Sequence, residues 1–248
     1  MLADIKDILL ISTQKDITNF QNLLGDGKNF GLSISYAVQD RPEGIAQAFL
    51  IGENFINNNH SALILGDNIF YGSGLEEVLR AASDKSEEAT IFGYPVENPH
   101  RFGVASVNNG KVTSIVEKPK ITASNIAVTG LYFFDNNACS KAKELAPSKR
   151  GELEITDLNL SYLKDSRLNI HLFGRGFAWF DTGTPEAIVD ASVFIRTIEQ
   201  RQGLKICCPE EIAWKKGWID DDKLQSLANN FQNNSYGQYL EKLLKEKF

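Results

Sequence analysis

Two aspartates set beside glycines are the first candidates for chemistry in this chain. Asp67 follows the apolar run Ala62-Leu-Ile-Leu65 and Gly66, and precedes Asn68-Ile-Phe-Tyr-Gly72. The run reads as a buried strand, which puts the carboxylate at a strand's carboxyl end, where open α/β sheets bind ligands. A carboxylate there suits a hard cation such as Mg2+, and Mg2+ suits phosphate chemistry. The competing reading is an aspartate that caps the next turn or helix. Asp181, in Trp179-Phe-Asp181-Thr-Gly183, also reads as a turn residue before a helix. Three other stretches carry polar groups of interest: Gln39 with Gly44, Glu117-Lys118-Pro119, and Gly151-Glu-Leu-Glu-Ile-Thr-Asp157. Taken alone, Gly44 is an ordinary turn glycine, Glu117 and Lys118 are an exposed pair at a strand end, and Glu152 and Thr156 are helix-start chemistry. Nothing suggests a Ser-His-Asp arrangement or a covalent intermediate, and His60, His100 and His171 are scattered and read as surface residues.

These residues need a scaffold, and the pattern supplies one. Met1 to Asp7 resembles the end of a helix, and Ile8–Ser12 is an apolar strand. Ile17–Leu24 is a short helix stopped by Gly25-Asp-Gly27, Leu32–Val38 a strand delivering Gln39, and Ile45–Ile56 a helix with an apolar face. With the strand before Asp67 and a helix from Leu75 to Ala82, the order is β-α-β-α-β-α, the signature of a mostly parallel, doubly wound sheet. After the strand Ala89–Tyr94 the rhythm changes. Gly103–Val107 and Lys111–Val116 flank Asn108-Asn-Gly110, a hairpin signal, and Ala127–Phe134 is a strand with an internal glycine, so the α/β scaffold carries an antiparallel insertion. Asn137–Leu145 is helical, and a helix opens within Arg150–Asp157 and runs to Leu163. Strands at Leu168–Phe173 and Ala178–Phe180 lead to Thr184, which N-caps a helix with Pro185 at its first position. From Gln202 onward the chain is a helical appendage, closing on a face of Tyr236, Tyr239, Leu240, Leu243 and Leu244 with Glu241 and Lys245 as an i,i+4 pair. The division expected is a core over residues 1–200 and an appendage over 201–248.

Composition removes several classes. With 248 residues, 42% hydrophobic and 23% charged, the chain is an ordinary globular protein. A net charge of −6 argues against a nucleic-acid partner. No apolar run approaches the roughly 20 residues of a membrane helix, and the first residues are charged where a signal peptide would be apolar. Three cysteines make neither a disulfide framework nor a metal-ligand spacing, so reduced cysteines in a cytoplasmic protein are expected.

Taken together, Leu65-Gly-Asp-Asn-Ile-Phe-Tyr-Gly72, Ala127-Val-Thr-Gly-Leu-Tyr132, Arg150–Asp157 and Arg201-Gln-Gly-Leu-Lys205 closely resemble the glucose-1-phosphate thymidylyltransferase family of sugar nucleotidyltransferases, from about Leu2 to Tyr239. The resemblance implies a Rossmann-like α/β fold with a mixed sheet, and Mg2+-dependent in-line transfer between dTTP and glucose 1-phosphate. It makes Asp67 and Asp181 the metal ligands, Asp67, Lys118 and Asp181 the catalytic set, and Gln39 and Gly44 the pyrimidine-reading segment. Lys118 would contact the sugar's phosphate and Glu117 a sugar hydroxyl. Gly103, Val128, Gly130 and Tyr132 would line the sugar pocket, although Val128 and Tyr132 could equally be core. A homo-oligomer, specifically a tetramer, and a second, regulatory nucleotide site near Gly72, Gly174-Arg-Gly176 and Arg201-Gln-Gly203 also follow from the resemblance.

One family feature is missing. Members begin with a strand and a glycine-rich loop ending Gly-Thr-Arg-Leu that wraps the triphosphate, and no Gly-x-Gly-Thr-Arg occurs in this sequence. The expected fold therefore lacks the first strand-loop-helix unit, leaving strand neighbours with an unpaired, apolar edge. Two other readings follow: a catalytically inactive remnant that binds sugar phosphate or nucleotide or only oligomerises, and a transferase using another nucleotide such as UTP.

Overall fold

The computed structural model describes residues 1–85, 87–231 and 233–246. The chain divides into two compact units, Met1–Val38 with Val189–Phe248, and Gln39–Ile188.

Met1–Asp4 is a turn, and no helix ends before β1: the Asp4 N–H closes on the Met1 carbonyl at 2.9 Å, with Asp4 in the left-handed region at φ 59. Strand β1 (Asp7–Ser12) pairs in parallel with β2 (Ser33–Val38) through the crossover helix α1 (Ile17–Leu24). α1 stops at Gly25, whose φ of 58 suits glycine.

Gln39–Ile188 contains α2 (Gln47–Ile51), α3 (Glu53–Ile56), β3 (Ser61–Ile64), β4 (Asn68–Gly72), α4 (Leu75–Ser83), β5 (Ala89–Pro95), β6 (Gly103–Asn108), β7 (Lys111–Glu117), β8 (Ile126–Phe134), α5 (Ala138–Lys143), α6 (Ile155–Lys164), β9 (Leu168–Leu172) and β10 (Phe177–Asp181). The expected helix over 45–56 is two helices meeting at Gly52, a residue that weakens helix continuity. The strand before Asp67 is not fully buried. Leu63 packs on the core, while Ala62 and Ile64 point outward, Ile64 at 58% exposure. Apolar residues on both faces hid this period-2 pattern in the sequence.

One sheet has the order β7-β6-β8-β5-β9, with β3 also paired to β8, and β4 and β10 form a separate antiparallel pair. The sheets are mixed and not mostly parallel. Parallel ladders occur at β1–β2 and β5–β9, whereas β8 runs antiparallel to β3, β5 and β6. Among the described residues β1 pairs only with β2, and β3 only with β8. The β6–β7 hairpin turns through Asn109 and Gly110, both at positive φ (49 and 76), as its Asn-Asn-Gly sequence requires. The core of this unit joins Phe49, Ile91, Ile115, Tyr132, Phe134, Leu158 and Tyr162.

Helix α7 (Pro185–Gln202) starts where expected, with the Ala187 N–H on Thr184 Oγ1 at 3.3 Å. Beyond it, α8 (Pro209–Lys215), α9 (Asp221–Asn229) and α10 (Ser235–Glu246) share a second apolar cluster of Cys208, Leu224, Leu227, Tyr239, Leu240 and Leu243, with Met1 packed against it. Glu241 and Lys245 pair at 3.7 Å. All three cysteines are free thiols. No helix among the described residues is long and apolar enough to cross a membrane.

Candidate active site

The antiparallel pairing of β4 with β10 brings the two aspartates together. Asp67 immediately precedes β4, Asp181 ends β10, and Asn68 lies opposite Asp181 in the ladder. Thr182 locks the junction, since its N–H and its Oγ1 both donate to the Asp67 carbonyl, at 2.8 Å each. Gly183 donates its N–H to Asp181 Oδ1 at 3.1 Å. A Cβ placed on Gly183 would lie 3.1 Å from Asp181 Oδ1 and 3.6 Å from Asp67 Oδ2. Both carboxylates therefore border one small space that glycine leaves open. Among the described residues no three His, Cys, Asp or Glu side chains gather as a metal cluster. A pair of carboxylate oxygens fits a cation such as Mg2+, which keeps few protein ligands and takes the rest from water and phosphate.

The second group of residues forms around β6, β7 and α6. Glu117, the last residue of β7, lies opposite Gly103, the first of β6. Glu117 Oε2 accepts the Thr156 hydroxyl at 2.6 Å, and its Oε1 lies 3.9 Å from Lys118 Nζ and 3.8 Å from an Arg150 guanidinium nitrogen. A Cβ on Gly103 would meet Thr156 Oγ1 at 3.1 Å, Glu117 Oε2 at 3.2 Å and Val128 Cβ at 4.0 Å, so these four positions face one another. Lys118 is half exposed and sits at φ 42, with its N–H on the Phe102 carbonyl at 3.0 Å. Arg150 is fixed by Glu154, with Nη2 donating to Oε2 at 2.8 Å and to Oε1 at 2.9 Å, and Nε donating to Oε1 at 3.1 Å. Val128 and Tyr132 are core residues, and only Val128 reaches toward Gly103. Burial, and then the Glu117 charge, push the Tyr132 phenol upward, keeping it neutral.

The segment from Gln39 to Ala46 is docked by backbone onto the turn before α6. The Leu153 N–H reaches the Glu43 carbonyl at 2.7 Å, and the Ala46 N–H reaches the Leu153 carbonyl at 3.1 Å. Gly44, at φ 104, lies so close that a Cβ would fall 2.5 Å from the Leu153 nitrogen. Only glycine fits there. Gln39 Nε2 donates to the Gly44 carbonyl at 3.2 Å and to Gln47 Oε1 at 2.5 Å, so Gln39 and Gly44 act as one unit. This docking explains why α6 begins at Ile155 and not within Arg150–Glu154: the Leu153 peptide is committed to the neighbouring loop, and Gly151 sits at φ 79.

Two polar residues escaped the reading from sequence. Asn68 bonds to Asp67, Gly130 and Trp179, and Arg150 stands beside Glu117. Their only signal was adjacency to Asp67 and to the Gly151–Asp157 stretch. Thr156, read as helix-start chemistry, instead holds Glu117. His171 is not a plain surface residue. It is half-buried between Phe92 and Phe173, and burial, then the Lys85 charge, lower its pKa.

Known proteins resemble this chain over most of its length. Residues 1–198 match the family model described as nucleotidyl transferase. Over 247 residues the chain is 54% identical to a glucose-1-phosphate thymidylyltransferase of Neisseria meningitidis, covering 99% of this chain and 86% of that protein. A glucose-1-phosphate thymidylyltransferase of Xanthomonas campestris is 53% identical over 246 residues, covering 99% and 83%. A Bacillus anthracis structure solved with sucrose under the same enzyme name superposes with a TM-score of 0.71 at 41% identity, over 78% of each chain.

Proposed function

The chain belongs to the nucleotidyl transferase family, and we propose that it is a glucose-1-phosphate thymidylyltransferase, converting dTTP and glucose 1-phosphate to dTDP-glucose and pyrophosphate. The observation that carries this reading is the convergence of Asp67 and Asp181 on the open space at Gly183. Within the same unit β8 runs past both groups of residues, with Gly130 against Asn68 and Val128 against Gly103. A phosphate oxygen of glucose 1-phosphate attacks the α-phosphorus of dTTP in line, and the bond to the β-phosphate oxygen breaks to release pyrophosphate. Asp67 and Asp181 would hold Mg2+, which neutralises charge on the phosphates. Gln39 and Gly44 present amide and backbone to the thymine edge. Glu117 accepts a sugar hydroxyl, Lys118 holds the sugar's phosphate, and Gly103 leaves room for the ring. The same reading includes a homo-oligomer, read by light scattering of the eluted protein, and a cytoplasmic location.

The test is pyrophosphate release by the purified chain with dTTP, glucose 1-phosphate and Mg2+. Equimolar dTDP-glucose and pyrophosphate are expected, and Asp67→Asn should lower kcat by about 10²-fold or more, the scale for losing a group that stabilises transition-state charge. Pyrophosphate with UTP but not dTTP would move the assignment to another nucleotide. None with either would sink it.

A further inference from the structure

Asn68 is the chain neighbour of Asp67 and the cross-strand partner of Asp181. Its Oδ1 accepts two hydrogen bonds, from the Gly130 N–H at 2.9 Å and from the Trp179 indole N–H at 2.7 Å. A backbone amide and an indole nitrogen can only donate, so the Asn68 oxygen must face them. The amide nitrogen is thereby forced to the other side, where it donates to Asp67 Oδ1 at 2.8 Å. Gly130 makes room for this arrangement, since a Cβ there would fall 2.7 to 2.8 Å from the Asn68 amide atoms. The Asp67 carboxylate is thus pinned at one oxygen, and the other, Oδ2, is the oxygen that borders the Gly183 space shared with Asp181.

We infer that Asn68 is a positioning residue that fixes the rotation of the Asp67 carboxylate, so that Oδ2 is presented with Asp181 to a divalent cation. The inference rests on the assignment of Asp67 and Asp181 as cation ligands. β8 and β10 set the orientation of Asn68, so the ligand geometry is built by three strands and not by the Asp67 turn alone. Outer hydrogen-bond partners of metal ligands typically change metal affinity about 10- to 100-fold when removed.

The experiment titrates Mn2+ by electron paramagnetic resonance into the full chain with dTTP present, and measures dTTP affinity separately without metal. Three variants are compared with the parent. Asn68→Ala removes all three hydrogen bonds, Trp179→Phe removes the indole donor that orients Asn68 but leaves Asp67 untouched, and Asp67→Asn is the ligand control. Mn2+ affinity should fall about 10- to 100-fold in Asn68→Ala and by a smaller factor in Trp179→Phe, with metal-free dTTP affinity unchanged in both. Parent-like Mn2+ affinity in a folded Asn68→Ala overturns the inference. Should Asn68→Ala fail to fold, parent-like Mn2+ affinity in Trp179→Phe overturns it equally. Unchanged Mn2+ binding in Asp67→Asn removes the ligand assignment itself, and the inference falls with that premise.

Discussion

Glu117 divides its two oxygens between different partners, and this sets how it responds to substitution. Oε2 is held by Thr156 at 2.6 Å, and Oε1 lies toward Lys118 and Arg150 at 3.9 and 3.8 Å. Glu117→Gln keeps an acceptor for Thr156 but removes the charge from the proposed hydrogen bond to a sugar hydroxyl. A charge-assisted bond is worth about 1.5–3 kcal/mol, so KM for glucose 1-phosphate should rise roughly 10- to 100-fold while KM for dTTP stays put. An equal rise for both substrates in steady-state kinetics would place Glu117 outside the sugar pocket. Thr156→Val removes the hydroxyl that aims Glu117 but leaves the carboxylate, so about 1 kcal/mol of the sugar hydrogen bond should be lost through misorientation. Its KM for glucose 1-phosphate should rise about fivefold, and Thr156→Ser should restore it. Failure of the serine to rescue would make Thr156 a packing residue.

At the scale of elements, Asp135 ties the end of β8 to α5, α6 and β9. Lying just beyond β8 and fully buried, it takes hydrogen bonds from the N–H and the side-chain amide of Asn137 before α5, from Tyr162 in α6 and from Arg167 before β9. Burial pushes its carboxyl up, but the bonds from Tyr162 and Asn137 and the Arg167 charge outweigh burial and leave it below the usual carboxylate range. A lowered folded pKa means the stabilisation is complete above the unfolded value, about 3.9, and disappears as pH falls through the folded value. Tyr162→Phe should therefore lose about 1.5–3 kcal/mol at pH 7 by urea unfolding, and the gap to the parent should narrow below about pH 4. A gap that widens in acid would show that Asp135 is not the charged partner. Elements of this kind were unevenly legible in the sequence. The hairpin at Asn109-Gly110 and the helix start at Thr184-Pro185 declare themselves because only certain residues adopt those backbones. By contrast, the partners of Asn68 lie 62 and 111 residues away. No local pattern reveals them, and only the resemblance paired Asp67 with Asp181. The start of α6 does fall inside the expected Arg150–Asp157 stretch, but its position at Ile155 depends on the loop at Glu43–Ala46, which claims the Leu153 peptide.

At the scale of the whole molecule, the described residues form two apolar cores that share no residue. One belongs to Gln39–Ile188 and is built on Phe49, Phe134, Leu158 and Tyr162. The other, around Leu224, Leu240 and Leu243 with Met1 against it, belongs to Met1–Val38 and Val189–Phe248. Every candidate active-site residue lies in Gln39–Ile188, so a cavity opened in the other unit should weaken that unit without altering the active site's own contacts. Leu240 has no exposed surface, and Leu240→Ala should cost about 2–5 kcal/mol by lost burial and the cavity left behind. Separate cores also predict that unfolding departs from a single two-state transition. In hydrogen exchange, amides of α8, α9 and α10 in Leu240→Ala should lose protection first, while those of β5, β8 and α6 keep theirs. Loss of protection to the same extent in both sets would show that the two cores open as one cooperative structure, and a substitution in the helical appendage would then reach the Asp67–Asp181 site through global unfolding.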